Sequence, residues 1–312
     1  LNTFKNTYIG AGEIFLSSKG ILAFPLATDP MMMYYNRSIL DEKGIVAPPI
    51  YWEDFTSLSK TLTEKDDTGF ISRSAVAMGQ YSNIPHAKSI LAMLFMQSGT
   101  PIIKEAGGGM YSSALTNDES KYNLGSILKF YTDFADPLNA VYSWNKSFAS
   151  SIDAFSGEKS VFYFGYASEL PSLIKKNPNM NFFVAPVPQI KNSTFKLTNA
   201  RTLGIAISAQ SKNFSTAFVA GGLLTKGDFA KSFASSLSIA PTRRDIMTAP
   251  PEDAYSPLFY ASALYAKSWL DPSNKDTGDI FRGMIEKVLS NSLTPEQAIL
   301  DGDSKINLLL IR

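Results

Sequence analysis

The side chains best suited to covalent or acid–base chemistry are scarce in this sequence. Cysteine is absent and histidine occurs once, at His86. A thiol nucleophile and thiolate metal ligands are therefore excluded, and a zinc site, which needs three or four nitrogen, sulfur or carboxylate ligands, is not expected. His86 lies early in a predicted helix beside Lys88, where we expect a solvated surface side chain rather than a general base.

Two pairs of adjacent carboxylates are the other candidates for catalysis. Glu53 and Asp54 lie in the first turn of a predicted helix, where the helix dipole favours negative charge, and Asp66 and Asp67 lie in a turn. Neither pair predicts the facing carboxylates of a glycosidase. The glycine-rich segment 106–109 lacks the Lys-Ser/Thr of a phosphate-binding loop, so we predict a hairpin turn there. No cofactor is expected.

Aromatic side chains offer a different chemistry. They make up 12% of the chain, with 14 Tyr and 21 Phe, and several fall in predicted loops. Sugar rings present apolar C–H faces and hydroxyl edges, so a sugar cleft needs flat aromatic surfaces and a few directed polar groups. The composition therefore favours binding of a solute over catalysis.

Length and charge narrow the class of protein. A chain of 312 residues is long enough for two lobes, given about 100 to 200 residues per domain. Basic and acidic residues number 29 and 28, and no run of Lys or Arg can follow a phosphate backbone, so nucleic acid is not an expected partner. No apolar stretch approaches the roughly 20 residues that cross a bilayer. The sequence opens without Met or a signal pattern, so we expect a processed or truncated form.

The segment 24–60 organises the elements that position these side chains. It predicts a strand over 24–27, a polar break at 28–30, a second strand over 31–35 and a helix over 37–43. Gly44 ends that helix because glycine adopts the left-handed cap without steric cost. The Pro48-Pro49 pair then forces an extended connector before a second helix.

This order of elements resembles the lobe-crossing segment of family 1 extracellular solute-binding proteins, the receptors of ABC importers. Stretches 151–172, 181–189, 202–218 and 225–243 fit the same family in order and spacing, and Thr294–Gln297 forms a capping box that opens a terminal helix. The resemblance spans about residues 24–300.

The resemblance implies an α/β, periplasmic-binding-protein-like (type II) fold of two lobes with the ligand cleft between them. We expect residues 1–29 and 202–254 in the first lobe, and residues 30–201 and 255–312 in the second. Family members carry about a hundred residues before the crossing segment, whereas 23 precede it here. The first lobe is therefore expected to lack its N-terminal part.

The resemblance also gives candidate ligand contacts. Tyr166 occupies a position that often stacks on a sugar, and Tyr81 lies in a loop that supplies another stacking aromatic. Asp29 in the crossing segment, and Arg201 beside the stretch 202–218 in which the chain returns to the first lobe, can bond to hydroxyl groups. The complete set of predicted ligand-binding residues is Tyr166, Tyr81, Asp29, Trp144, Phe281, Arg201 and Arg243. Core packing stays open for the aromatic residues, a surface ion pair for the arginines and a turn cap for Asp29.

The expected function is capture of a sugar or oligosaccharide by hinge closure and delivery to the permease subunits of an ABC importer. The protein is expected to be an extracytoplasmic monomer, periplasmic or held by a lipid anchor on the outer face of the cytoplasmic membrane. Another solute, such as a polyamine, a glycerol phosphate or a peptide, is the alternative within binding. An extracellular carbohydrate-active enzyme and a sensory receptor on the same fold are the others.

Overall fold

The computed structural model describes residues 2–107, 109–116 and 123–311. The helices are α1 (Asn2–Thr7), α2 (Arg37–Glu42), α3 (Trp52–Leu62), α4 (Ala87–Gln97), α5 (Leu124–Asp133), α6 (Ser151–Ser156), α7 (Leu170–Lys176), α8 (Phe214–Leu224), α9 (Gly227–Ser236), α10 (Arg244–Met247), α11 (Ser256–Ala263), α12 (Asn274–Leu289) and α13 (Pro295–Leu310), with 3-10 helices at Gly10–Phe15 and Ala167–Glu169. The strands are β1 (Leu16–Ser17), β2 (Gly20–Ile21), β3 (Phe24–Asn36), β4 (Glu64–Lys65), β5 (Ile71–Val76), β6 (Ile103–Gly107), β7 (Met110–Ser113), β8 (Ser160–Tyr166), β9 (Phe182–Pro186), β10 (Thr198–Ile205), β11 (Ala240–Pro241) and β12 (Ala266–Lys267).

Strand β3 is the centre of the largest sheet, whose main path runs β12-β10-β3-β8-β5-β4. Its first half pairs antiparallel with β10 and β11, and its second half pairs antiparallel with β8 and β9. The change of partners falls between Pro30, which pairs with β10, and Met31, which pairs with β8. The chain therefore passes from one group of elements to another along a single strand.

The polar break predicted at 28–30 is wrong, because β3 continues without interruption from Phe24 to Asn36. Polar side chains stay in the strand since each finds a partner across it. The hydroxyl oxygens of Thr28 and Thr202 lie 3.3 Å apart, and the Asp29 carboxylate accepts hydrogen bonds from a neighbouring segment. A satisfied buried polar group costs far less than an unpaired one.

Apolar packing differs between the two halves of β3. The second half contributes to an extensive core that includes Met33, Phe55 and Phe95, all without exposed surface. The first half packs in small clusters, one of them formed by Leu26, Ala27, Ala230, Ala234 and Ile239. Helix α8 has apolar side chains that remain about half exposed, including Phe214, Phe218 and Leu223. The small clusters therefore bury only part of the apolar surface around the first half of β3.

Several local predictions are confirmed. Strands β6 and β7 form the hairpin expected around 106–109, of which residue 108 lies outside the described residues. The capping box is present at α13, where Thr294 and Gln297 bond to each other's backbone N–H. The helix predicted from residue 120 appears as α5, and residues 117–122 lie outside the described part of the chain. No helix within the described ranges is long and apolar enough to cross a membrane.

Candidate functional site

Asp29 and Arg201 face each other on the crossing strands β3 and β10. Arg201 Nη2 lies 2.6 Å from Asp29 Oδ2. The backbone N–H and the hydroxyl of Ser168 donate to the two oxygens of the same carboxylate, at 3.0 and 2.8 Å. Burial raises the pKa of Asp29, and the neighbouring Arg201 and Ser168 offset that rise only in part. The carboxylate thus ties both crossing strands to the 3-10 helix Ala167–Glu169.

Tyr166 ends β8 with its ring underneath the Arg201 side chain. The guanidinium carbon lies 3.9 Å from the ring centroid, and the imidazole of His86 packs edge-on at 5.0 Å. The Tyr166 hydroxyl donates to Asn199 Oδ1 at 2.9 Å, and burial raises its pKa to about 12. The Tyr166 residue is only 2% exposed, whereas the Arg201 side chain is 51% exposed. In this conformation the guanidinium, rather than the ring, forms the accessible surface.

Glu169 joins His86, Tyr163 and Tyr166 through its carboxylate. Its Oε1 lies 2.7 Å from His86 Nε2, and its Oε2 accepts from the Tyr163 hydroxyl at 2.9 Å and the Tyr166 N–H at 3.0 Å. Burial opposes ionisation, but His86 and the other donors outweigh it, so the pKa of Glu169 lies below its usual value. The expectation of a solvated His86 is wrong: its side chain is 14% exposed because Glu169 holds it against the tyrosines.

Tyr81 lies in the loop after β5 and is partly exposed. A Cβ added at Gly278 would lie 3.0 Å from the Tyr81 hydroxyl, so a glycine in α12 gives this ring its space. Burial raises the pKa of Tyr81, and the nearby Arg282 and Asp279 act on it in opposite directions. Tyr81 is therefore partly exposed, packs in part against the main core and lies near the charged pair Arg282 and Asp279.

Trp144 and Phe281 are placed in the core, and neither has exposed surface. The Trp144 ring stacks on Phe148 at 4.5 Å, and its Nε1 donates to Asn83 Oδ1 at 2.9 Å. Phe281 packs between Phe95 and Trp269 at centroid distances of 6.3 and 6.2 Å. Buried rings present no face to a solute, so we leave both out of the candidate site.

Arg243 is also left out of the candidate site. Its guanidinium forms a two-pronged contact with Asp245, at 3.0 and 2.6 Å, which is the ion-pair alternative considered for it.

Sequence reasoning missed Ser168 and Glu169, although both follow the Gly-Tyr that the resemblance singled out. The position at the start of a helix after a strand was the signal available for them, because such loops border the crevice in α/β proteins.

The side chains of Asp29, Ser168, Glu169 and Arg201 form a group of directed polar side chains around Tyr166. Within residues 2–107, 109–116 and 123–311, no group of three or more His, Asp or Glu side chains could hold a metal ion. The half-exposed Arg201 side chain, which lies over the buried Tyr166 ring, can donate to hydroxyl groups of a bound molecule. This arrangement is suited to binding a polar organic molecule.

The sequence model of the family described as bacterial extracellular solute-binding protein matches residues 4–266. The chain belongs to this family. The family is one of binding proteins, and its description places its members outside the cell. The resemblance drawn from the crossing segment is thereby confirmed.

A relative of this solute-binding protein is the multiple sugar-binding protein of Streptococcus mutans, which is 25% identical over 218 residues. The alignment covers 70% of this chain and 49% of the relative. The chain thus spans about half the length of that protein.

Solved structures establish the fold of this solute-binding protein. A cyclo/maltodextrin-binding protein in complex with maltotetraose matches with a TM-score of 0.76 at 15% identity, covering 98% of this chain and 75% of that one. The maltose/maltodextrin-binding domain of Bdellovibrio bacteriovorus, bound to maltotriose, matches with a TM-score of 0.70 at 17% identity, covering 100% and 78%. The two-lobe α/β fold expected from the sequence is confirmed.

Replacing Glu169 by glutamine should make this solute-binding protein less sensitive to acid. Because the pKa of folded Glu169 lies below the unfolded value of 4.5, its charge stabilises the fold above pH 4.5. This contribution is lost at lower pH, as the pH falls through the lowered pKa of the folded state. Asp29 has the opposite effect. Because its pKa is raised in the folded state, its contribution to the free energy of unfolding increases as the pH falls through the acidic range. We expect Glu169→Gln to lower the free energy of unfolding by about 1–2 kcal/mol at neutral pH, and by less below pH 4.5.

Urea unfolding at neutral and at acidic pH measures the difference in free energy of unfolding between the variant and the parent protein. Glu105→Gln, at an exposed position of β6, is the matched control and should change neither. An equal difference between Glu169→Gln and the parent protein at both pH values would contradict the assignment.

Proposed function

We propose that this protein captures a sugar or an oligosaccharide where the crossing strands β3 and β10 meet β8. The observation that carries the proposal is the grouping of a half-exposed guanidinium, a supporting tyrosine ring and a buried carboxylate at that junction. Sugar binding in proteins uses this combination of flat surface and directed polar groups. The names of the Streptococcus mutans relative and of the maltodextrin-binding structures support the same class of solute.

Each candidate residue has a separate role in the proposal. Tyr81 provides the stacking surface, because it is the partly exposed aromatic of the predicted set. Arg201 donates to sugar hydroxyls from its exposed half, and its ion pair with Asp29 holds the guanidinium in position. Tyr166 supports the guanidinium rather than the sugar in the conformation described.

Capture would proceed by closure of two lobes, residues 1–29 with 202–254 and residues 30–201 with 255–312. A solute that contacts both lobes stabilises the closed state over the open one. The change of strand partners between Pro30 and Met31 supports a hinge near this point. We further propose that the protein acts as an extracytoplasmic monomer and passes the solute to ABC permease subunits.

The enzyme alternative rests on Asp29 and Glu169, whose pKa values are shifted in opposite directions, as those of an acid and a base can be. However, Asp29 accepts from Ser168 and Arg201 through its two oxygens. Glu169 likewise accepts from Tyr163 and Tyr166 and lies against His86. Because both carboxylates are engaged by the protein itself, we propose that the solute leaves chemically unchanged.

A thermal-shift screen tests the proposal. The protein is heated with monosaccharides and oligosaccharides, and with amino acids, peptides, polyamines and glycerol phosphate as controls. A ligand at about 100 times its Kd adds roughly 2.7 kcal/mol of stability, so a sugar that binds should raise the Tm clearly. If only a control class raises the Tm, the carbohydrate proposal fails.

A further inference from the structure

His86 is the single histidine of the chain, and it lies at the N-cap of α4, beside the proposed site. Its side chain makes no capping bond to the backbone of α4. Instead, Nε2 lies 2.7 Å from Glu169 Oε1, and the ring packs against Tyr166. Helix α4 is fixed in the main core by residues such as Leu91 and Phe95, which have no exposed surface. The imidazole therefore makes its contacts from a rigid element.

The Glu169 carboxylate is linked to the exposed Arg201 guanidinium in two ways. Glu169 Oε2 accepts from the N–H of Tyr166, and the Tyr166 ring lies under the guanidinium, 3.9 Å from its central carbon. Glu169 also ends the 3-10 helix that contains Ser168. The Ser168 hydroxyl oxygen accepts from Arg201 Nη2 at 3.0 Å and donates to Asp29. A movement of Glu169 would therefore shift both supports of the guanidinium.

The strand β8 is shaped to admit this carboxylate. A Cβ added at Gly165 would collide with Glu169 Oε2 and with the Tyr163 ring, so a glycine is needed at this position. The two carboxylate oxygens are held by different elements: Oε2 by Tyr163 and Tyr166 of β8, and Oε1 by His86 of α4. Without the imidazole, the carboxylate keeps its bonds to β8 and loses its contact with α4.

We propose that His86 is a positioning residue of the site, which sets the place of the Arg201 guanidinium through Glu169 and does not itself touch the solute. This inference rests on the proposed function, in which Arg201 donates to sugar hydroxyls, and adds a residue to it. Groups that bind a ligand must be held within about 0.5 Å of their productive position. Loss of the contact between His86 and Glu169 lets Tyr166 and Ser168 relax, and the guanidinium moves with them.

Lys88 provides a matched comparison in the same turn of α4. The side chains of Lys88 and His86 are both 14% exposed. Lys88 Nζ lies 2.7 Å from Asp271 Oδ2 and also donates to the Thr277 hydroxyl, so its contacts fix the start of α12. Lys88→Met therefore removes an equally buried partner of a carboxylate and leaves the contacts of Glu169 in place.

A double-mutant cycle tests the inference. Calorimetric titration gives the Kd for the sugar that binds the parent protein best, in His86→Leu, in Arg201→Ala and in the protein with both changes. Lys88→Met is combined with Arg201→Ala in the same way. Arg201→Lys, which keeps the charge but lacks the flat group that lies on the Tyr166 ring, repeats the cycle with a smaller loss of affinity.

Two further variants separate the role of the imidazole from its packing. His86→Gln keeps a side-chain N–H that reaches as far as Nε2, so it should retain most of the affinity. His86→Asn is too short to donate to Glu169 and should behave as His86→Leu, which it replaces if the leucine variant does not fold. Urea unfolding establishes that each variant is folded at the temperature of the titration.

The inference predicts that His86→Leu weakens sugar binding by about tenfold when Arg201 is present, and by less than about twofold when Arg201 is alanine. Lys88→Met should change the Kd by the same factor in both backgrounds. No effect of His86→Leu, or an equal effect with and without Arg201, would overturn the positioning role while the proposed function stands. Absence of sugar binding by the parent protein would overturn both.

Discussion

Tyr81→Ala is expected to weaken sugar binding by about 10- to 100-fold, or roughly 1.4–2.7 kcal/mol of binding free energy. The reason is the loss of the accessible aromatic surface of the proposed site, and aromatic residues of this kind carry much of the energy at binding sites. Because Tyr81 packs in part against the main core, the free energy of unfolding should also fall, but by less than on truncation of a fully buried ring. Calorimetric titration and urea unfolding of the variant measure the two effects separately.

Tyr81→Phe is the matched control for that prediction. It keeps the ring and removes the hydroxyl that lies near Gly278, so it should retain most of the affinity. If Tyr81→Ala binds as tightly as the parent protein, Tyr81 is not the stacking residue and the proposed roles in the site are wrong.

Trp144→Ala is expected to lower the free energy of unfolding by about 3–5 kcal/mol, the usual cost of truncating a buried tryptophan. The variant loses the stack on Phe148 and leaves Asn83 Oδ1 without the indole donor. The Kd of the folded variant for sugar should stay close to that of the parent, because the ring lies in the core. Urea unfolding and titration at low temperature test the two parts.

Trp144→Phe separates packing from hydrogen bonding. It fills most of the space beside Phe148 and should destabilise the protein less than Trp144→Ala. A variant at Trp144 that loses sugar binding but keeps its stability would instead return this residue to the site.

The ends of several helices were predictable because their signals are local. Glycine and proline mark the end of α2 and the connector that follows, and a Thr-Pro-Glu-Gln sequence marks the start of α13. The continuity of β3 was not predictable, since the polar residues Thr28 and Asp29 stay in the strand only through partners more than 100 residues away in the chain.

The surroundings of Tyr166 also depend on contacts between residues that are far apart in the chain. His86 and Glu169 are separated by 83 residues, and no local pattern shows that they meet. Phe281 is different, because Gly278, Phe281 and Ile285 form a buried row at helical spacing along α12. That periodicity was present in the sequence and indicates a core residue rather than a ligand contact.

The most direct test of the account is a calorimetric titration of the parent protein with the sugar that gives the largest thermal shift, followed by chromatography of the recovered sugar. The account predicts saturable binding of one equivalent and recovery of the sugar unchanged. Absence of saturable heat with every sugar, or recovery of a cleaved sugar, would contradict the proposal that this protein is a sugar-binding receptor.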